Sequence, residues 1–188
     1  KEVLTAEEQQ KASRLSLNHL SYRMRATSEV VTYLTEKETP EHAIKHAIER
    51  LTEQRYLDDQ QFALAYTATK KATTPQGPGK IRRDLEALKI PKTAIDESIM
   101  TFTDEEAYEK ILKFLRQKQK ELQRRSVREL TQKLQMTLMQ RGFSTDLIKS
   151  GIEEVFLAEE GDEEEQAALY QVRKYYPKYR QLEPFERE

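Results

Sequence analysis

Three places in the chain carry residues whose types and spacing do chemistry in other proteins. His42 and His46 lie four apart, which puts two imidazoles on one helix face as in helical zinc sites. No glutamate stands between them, the only other histidine is His19, and the chain has no cysteine to complete a ligand set, so no metal is expected. Asp58 and Asp59 form an adjacent carboxylate pair. They precede the apolar run Phe62-Ala63, where a helix start uses such residues as an N-cap and a first-turn charge. Gly77-Pro78-Gly79-Lys80 has the look of a phosphate loop. The G-x-x-x-x-G-K-[ST] pattern fails, because Thr74 occupies its first glycine and Ile81 its hydroxyl position. With no Gly-x-Ser-x-Gly and no Ser-His-Asp arrangement either, the sequence predicts a protein that is not an enzyme and that needs no cofactor.

What remains is cationic. Binding to a nucleic-acid backbone needs a row of Lys and Arg, because releasing counterions from phosphate supplies most of the sequence-independent affinity. Three clusters qualify: Arg23 and Arg25; Lys80, Arg82 and Arg83; and Arg124, Arg125, Arg128 and Lys133. These nine residues are the candidate DNA- or filament-binding set. The tyrosines, Tyr22 to Tyr179, offer rings for base stacking. Most recur at helical spacing beside apolar residues, so the group is assigned to packing. The basic, aromatic run Tyr175 to Arg180 is set apart as a contact arm or a docked tail.

The elements that position these residues are helical. Apolar residues recur at i, i+4, i+7 in Ile44, Ile48, Leu51 and in Ile81, Leu85, Leu88, and no segment alternates with period two. Thr5 to Glu8, Thr103 to Glu106 and Ser126 to Glu129 read as capping boxes, and Thr39-Pro40 as a cap before a first-turn proline. About nine or ten short helices follow. Offset by 51, Val30, Leu34, Ile44 and Ile48 fall on Ile81, Leu85, Ile95 and Ile99; a further 53 brings Leu134, Leu138, Ile148 and Ile152. The fold expected is all-α, a tandem array of three three-helix units forming an elongated, curved body. Each unit is read as a helix with a basic start, a turn, a second helix, and a third helix with an acidic start such as Asp58-Asp59, Asp104-Glu105 or Asp162-Glu163. The divisions expected are residues 1–72 for an N-terminal helix and first repeat, 73–117 for the second, and 118–188 for the third with a tail. Thr73 to Gly79 reads as a hinge, and Lys118 to Arg125 as part of a charged helix joining units two and three.

Composition narrows the partners. Charged residues make up 35% of the 188 and hydrophobic ones 37%, so apolar seams rather than one thick core are expected. No apolar run approaches membrane-spanning length and no basic-then-apolar leader opens the chain, so a cytoplasmic protein without membrane contact is expected, acting as a monomer. The net charge of −1 hides an asymmetry: nine basic residues against two acidic from Lys110 to Lys133, then eight acidic and no basic from Glu153 to Glu165. That acidic run reads as a solvated helix end and the start that follows it.

Several motifs together resemble the RecX family of bacterial RecA regulators. They are Leu20-Ser-Tyr-Arg-Met-Arg25, then Tyr56-Leu-Asp-Asp59 with Phe62-Ala63, then Gly77-Pro-Gly-Lys-Ile-Arg-Arg-Asp-Leu85 and the turn Lys89-Ile90. They occur in family order and cover residues 15 to about 175. Arg55 stands where the family usually has glycine, and Lys89 runs directly into Ile90 without the usual intervening glycine. The resemblance implies a helical repeat protein that inserts along the groove of the RecA–single-stranded DNA filament, blocks strand exchange and lowers ATP hydrolysis. Its implied partner is that filament, with direct DNA contact as a further expectation. Gram-positive relatives often carry an extra N-terminal segment with strands, and the Lys1 start suits loss of such a segment. Without the resemblance, the residues alone leave open a general DNA-binding module and a protein-interaction scaffold.

Overall fold

The computed structural model describes residues 2–120 and 127–157. They form nine α-helices: α1 (Glu2–Leu20), α2 (Thr27–Glu36), α3 (Glu41–Glu53), α4 (Asp59–Thr73), α5 (Pro78–Ala87), α6 (Lys92–Met100), α7 (Asp104–Gln119), α8 (Val127–Gln140) and α9 (Thr145–Ile152). A single π-helical turn, Glu153–Leu157, continues α9, and there is no strand among the described residues.

The repeat offsets have a physical meaning. Val30, Ile81 and Leu134 are buried, as are Leu34, Leu85 and Leu138, so the same core positions recur in α2, α5 and α8. Thr103 and Glu106 form the reciprocal capping box of α7, with the Glu106 N–H donating to Thr103 Oγ1 at 3.3 Å and the Thr103 N–H to Glu106 Oε2 at 3.1 Å. Thr5, by contrast, lies inside α1, and the cap position of α3 is Pro40 itself rather than Thr39. Ser126 lies outside the described residues.

Packing sets the phase of the repeat. The helix with the acidic start, α4, packs on α6 and α5, and α7 packs on α9; α1 packs on α3 and α2. The three-helix units are therefore α1–α3, α4–α6 and α7–α9. Each acidic-start helix opens a unit, whereas its place in the sequence spacing made it the closing helix of the unit before. The apolar face of α4, Phe62 and Ala63, joins Ile81, Leu85 and Ile95 rather than the core of α1–α3.

Units two and three share one continuous core, while unit one has its own, built on Ala12, Val30, Leu34, Ala43, Ala47, Leu51 and Leu57. The units connect head to tail. The N–H of Gly77 donates to the carbonyl of Arg141 at 2.8 Å and that of Gly79 to Gly142 at 2.9 Å, so the start of α5 sits on the turn after α8. At the other joint the Ser28 hydroxyl, in the first turn of α2, donates to the Leu88 carbonyl after α5. Helices α8, α5 and α2 thus follow one another, each start receiving the carbonyl end of the next, an arrangement that the helix dipoles favour. This contradicts the hinge expected at Thr73 to Gly79. A Cβ on Gly77 would lie 2.8 Å from the Gly142 backbone and one on Gly79 3.0 Å from its oxygen, so both glycines serve close approach, not flexibility.

Four helices end in the same turn. The 6→1 bonds Thr39 N–H to Leu34, Tyr56 to Leu51, Ile90 to Leu85 and Phe143 to Leu138 place one residue of each turn in the left-handed region. That residue is Gly142 in the last turn but Glu38 (φ 55°), Arg55 (φ 59°) and Lys89 (φ 57°) in the others. A side chain there costs roughly 1–2 kcal/mol, partly offset by the freedom that glycine gains on unfolding. Lys89→Gly is accordingly expected to stabilise the fold by about 0.5–1 kcal/mol, read as a higher urea midpoint at unchanged m-value.

Candidate nucleic-acid interface

The loop between α1 and α2 carries the first cation pair. Arg23 donates to Glu29 at 2.6 Å and to the Met24 carbonyl at 3.0 Å, while Arg25 donates to the His19 carbonyl at 3.1 Å and approaches Glu29 at 3.8 Å. Glu29 also accepts from the Ala26 N–H at 3.0 Å, closing the start of α2. Burial raises its carboxyl pKa, but the Arg23 hydrogen bond, the Ala26 N–H and the two arginine charges outweigh burial and hold it below the ordinary value. A depressed carboxylate contributes stability above its unfolded pKa, and that contribution is lost as pH falls through the folded value. The stability gap between the wild type and Glu29→Gln is therefore expected to be present at neutral pH and to close on acidification through that window, as urea titrations at stepped pH would show.

The second cluster spreads around α5 instead of forming one patch. Lys80 pairs with Asp84 at 2.6 Å, Arg82 reaches across to Asp96 of α6 at 2.5 Å, and Arg83 donates to the Gly79 and Gln140 carbonyls at 3.2 and 3.1 Å. Arg83 therefore props the joint with α8. Of the third cluster, Arg128 and Lys133 are exposed, and among the described residues neither side chain has an ion-pair partner. Arg124 and Arg125 lie outside the described residues. Under the repeat offsets only Lys80 and Lys133 are equivalent positions; Arg82 and Arg83 correspond to Val31 and Thr32 of α2.

The other chemical motifs are consumed by the fold. Asp58 caps α4, accepting from the Gln60 and Gln61 N–H groups at 3.0 and 2.9 Å. Asp59 accepts from the Thr27 N–H of α2 at 2.8 Å and so ties unit two to unit one. The amides of Gly77 and Gly79, which a phosphate loop would offer to an anion, are spent on Arg141 and Gly142. His42 pairs with Glu8 at 2.9 Å. Helix α7 ends at Gln119, and the segment that would carry it on to α8 falls outside the described residues, as does the run Tyr175 to Arg180. Within the acidic run, Glu154 accepts from Tyr108 at 2.9 Å and Arg116 at 2.8 Å, and residues 158–165 lie outside the described part.

The tyrosines divide. Tyr33 stacks on His19 at 3.9 Å, Tyr66 packs beside Phe62, and Tyr108 is held by Glu154. Tyr22 is 84% exposed and Tyr56 57%, with Met24 beside the first at 53%. Assigning the tyrosines to packing as a group misses these two. The available signal is position, since both lie in inter-helix turns where helical spacing says nothing about burial.

Three family models match in order along the chain: the RecX first three-helix domain over residues 12–51, the second over 58–99 and the third over 104–151. Regulatory protein RecX of Bacillus subtilis (strain 168) is 35% identical over 95% of this chain and 68% of its own length. The chain belongs to the RecX family. The RecX of Halalkalibacterium halodurans is 37% identical over 89% of this chain, which spans 63% of that relative's length. Among solved structures, RecX from Lactobacillus salivarius matches with a TM-score of 0.75 at 27% identity, over 81% of this chain and 99% of that one. A second RecX crystal structure matches at 0.75 and 32% identity, over 79% and 74%. The second and third matched segments agree with the packing units α4–α6 and α7–α9 to within a residue, and the first covers α1–α3 from residue 12, inside α1, onward. RecX motifs here have structural causes: Leu57 fills the core of unit one, Asp58 and Asp59 cap two helices, and the glycine pair Gly77 and Gly79 admits the next unit. At both departures from the family pattern, Arg55 and Lys89, the backbone keeps the left-handed conformation that glycine favours. The relatives are named regulatory proteins, in keeping with a chain whose carboxylate pair and glycine loop are taken up by caps and a joint.

Proposed function

We propose that this chain regulates the RecA recombinase, mainly as an inhibitor, by lying along the groove of the RecA–single-stranded DNA filament. There it contacts protein and phosphate together, and its bulk impedes filament growth, ATP hydrolysis and strand exchange. Membership of the RecX family is the observation that carries this reading. The head-to-tail stack of units supports it, since a linear array presents an extended surface to an extended partner. Phosphate contact falls to Arg128 and Lys133 first, because both side chains are exposed and have no ion-pair partner among the described residues; Lys80, at the position in α5 equivalent to Lys133, adds charge from within its pair with Asp84, as Arg23 and Arg82 do from theirs. Arg25 and Arg83 act mainly by holding the loop and the joint that present the others. The protein works as a cytoplasmic monomer without a cofactor. No described helix is long and apolar enough to cross a membrane.

A general DNA-binding module would use the same cations, so the test compares targets. Binding to immobilised single strands, bare or coated with RecA and a slowly hydrolysed nucleotide, is measured against salt. Tighter binding to the coated strand, with a shallower salt dependence than on bare DNA, is expected; equal affinity and equal slope would leave only the general module.

A further inference from the structure

We propose that the outward face of α7, with Arg141 at its edge, is a track along which the phosphates of a single DNA strand run. The proposal rests on the DNA-contact reading above and adds to Arg128 and Lys133 a surface outside the three clusters that the sequence singles out. Its starting point is the most basic stretch of the chain, nine cations against two acids from Lys110 to Lys133, whose first part lies on α7. Two hollows follow one another along this helix. One, of about 270 Å³, opens between the end of α4 at Thr73, Thr74 and Pro75 and the α7 residues Lys110, Lys113 and Gln117. The other, of about 520 Å³, runs on past Lys113, Arg116, Gln117 and Lys120. They share Lys113 and Gln117 and so form one continuous surface, and Glu109 is the only carboxylate among the described residues that line it.

The cations along this surface are held in different ways. Lys71 donates to Glu106 at 2.8 Å, and Lys110 donates to the Thr74 carbonyl at 2.9 Å and to that of Lys71, which closes the end of α4. Arg116 pairs with Glu154 at 2.8 Å. Lys113 and Lys120 are exposed and have no acid partner among the described residues. The Arg141 guanidinium lies over the Phe114 ring at 4.2 Å and makes no hydrogen bond among the described residues, while the Arg141 backbone is fixed by its bonds to Thr137 and Gly77. An arginine held by a ring rather than by an acid keeps all its donors for an anion and is already in place. When Glu106, Glu109 and Glu154 are each set against a cation, three of these six cations remain in excess. Complementing the α7 dipole would account for cations in its last turn, but Lys113 precedes that turn and Arg141 stands on another element. Cations repeated along two joined hollows match a chain of phosphates, whereas a lone carboxylate would need only one of them.

The test uses the full chain and compares two triple variants of equal charge. One combines Lys113→Gln, Lys120→Gln and Arg141→Gln; the other, on unit one, combines Lys11→Gln, Arg14→Gln and Arg50→Gln, whose side chains are also exposed and without an acid partner among the described residues. Binding to oligo(dT) is measured at stepped salt. The first variant is expected to lose about thirtyfold in affinity at about 0.2 M salt and about 2 in salt slope, at about 0.7 for each phosphate, while the second keeps the wild-type slope. The joint should hold, because the bond from Gly77 goes to the Arg141 carbonyl, which glutamine retains. If the first variant nevertheless melts early, Lys113→Gln with Lys120→Gln carries the same test at a slope loss of about 1.4. An unchanged slope in the track variant overturns the proposal. Equal losses in the two triple variants also overturn it, since total charge and not place would then be the cause. Unchanged binding to oligo(dT) combined with weakened binding to RecA-coated strands would make the face a protein contact and overturn it likewise. A wild type that does not bind oligo(dT) removes direct DNA contact and the track with it, whereas regulation of the filament is judged separately by RecA ATP hydrolysis.

Discussion

Gly142→Ala is expected to destabilise the protein by about 3–5 kcal/mol and to loosen unit three from unit two. A Cβ there would stand 2.1 Å from the Lys80 nitrogen and 2.7 Å from the Gly79 carbonyl carbon, and the residue has φ +85°. These neighbours are backbone atoms at the start of a helix, so no flexible side-chain tip can yield. Relief requires the α8–α9 turn to withdraw, which breaks the bonds from Gly77 to Arg141 and Gly79 to Gly142 and pulls the Gln140 carbonyl from Arg83. Each broken bond is worth about 1 kcal/mol and the enforced left-handed side chain another 1–2. Units two and three share a core, so separation also exposes Ile81, Leu85 and Phe143. Urea unfolding would show a lowered midpoint and a broadened or split transition. A sharp transition within a few tenths of a kcal/mol of the wild type would mean that the joint adapts.

Replacing Lys80, Arg128 and Lys133 together by glutamine is expected to weaken binding to the RecA–single-stranded DNA filament by about thirtyfold. The salt dependence on bare single strands should become shallower by about 2, at about 0.7 for each phosphate that is no longer neutralised. Glutamine keeps much of the stems of these side chains, and the Lys80–Asp84 pair that is lost is an i,i+4 helix pair worth about 0.3–0.5 kcal/mol, so the fold should melt nearly as before. Binding isotherms at stepped salt measure both quantities, and an unchanged slope would remove all three residues from the phosphate-binding set. Reversing Arg82 and Arg83, the more obvious pair in the sequence, is a less clean experiment. Arg83 supports the joint through Gln140, so its replacement mixes architecture with charge.

Much of the fold is legible in the sequence because the core repeats. Val30, Ile81 and Leu134, and Leu34, Leu85 and Leu138, recur at nearly constant offsets, and all six are buried. The phase of the units is harder to read, since linear spacing cannot show whether α4 packs on the helix before it or the pair after it. Only the destination of Phe62 and Ala63, the shared core of units two and three, decides that. The glycines of Gly77-Pro-Gly79 mislead for a related reason: flexibility and close approach call for the same residue, and the neighbour that requires it, Gly142, lies more than sixty positions away. The candidate cations are legible by type, but what each does depends on an acid or carbonyl elsewhere, such as Glu29 for Arg23 or Asp96 for Arg82. Tyr22 and Tyr56 are not, because burial in a turn is set by hydrogen bonds such as those of Arg23 and Asp59, for which periodicity offers no guide.

Under the proposed function the target is the RecA filament and not DNA as such. RecA ATP hydrolysis on single-stranded DNA, with the DNA in excess and this protein titrated at ratios well below one per RecA, separates the two targets. A progressive fall in rate under those conditions is the expected result, because too little protein is present to mask the DNA. A rate that holds until the protein saturates the DNA would rule out the filament as target and leave a general DNA-binding array in its place.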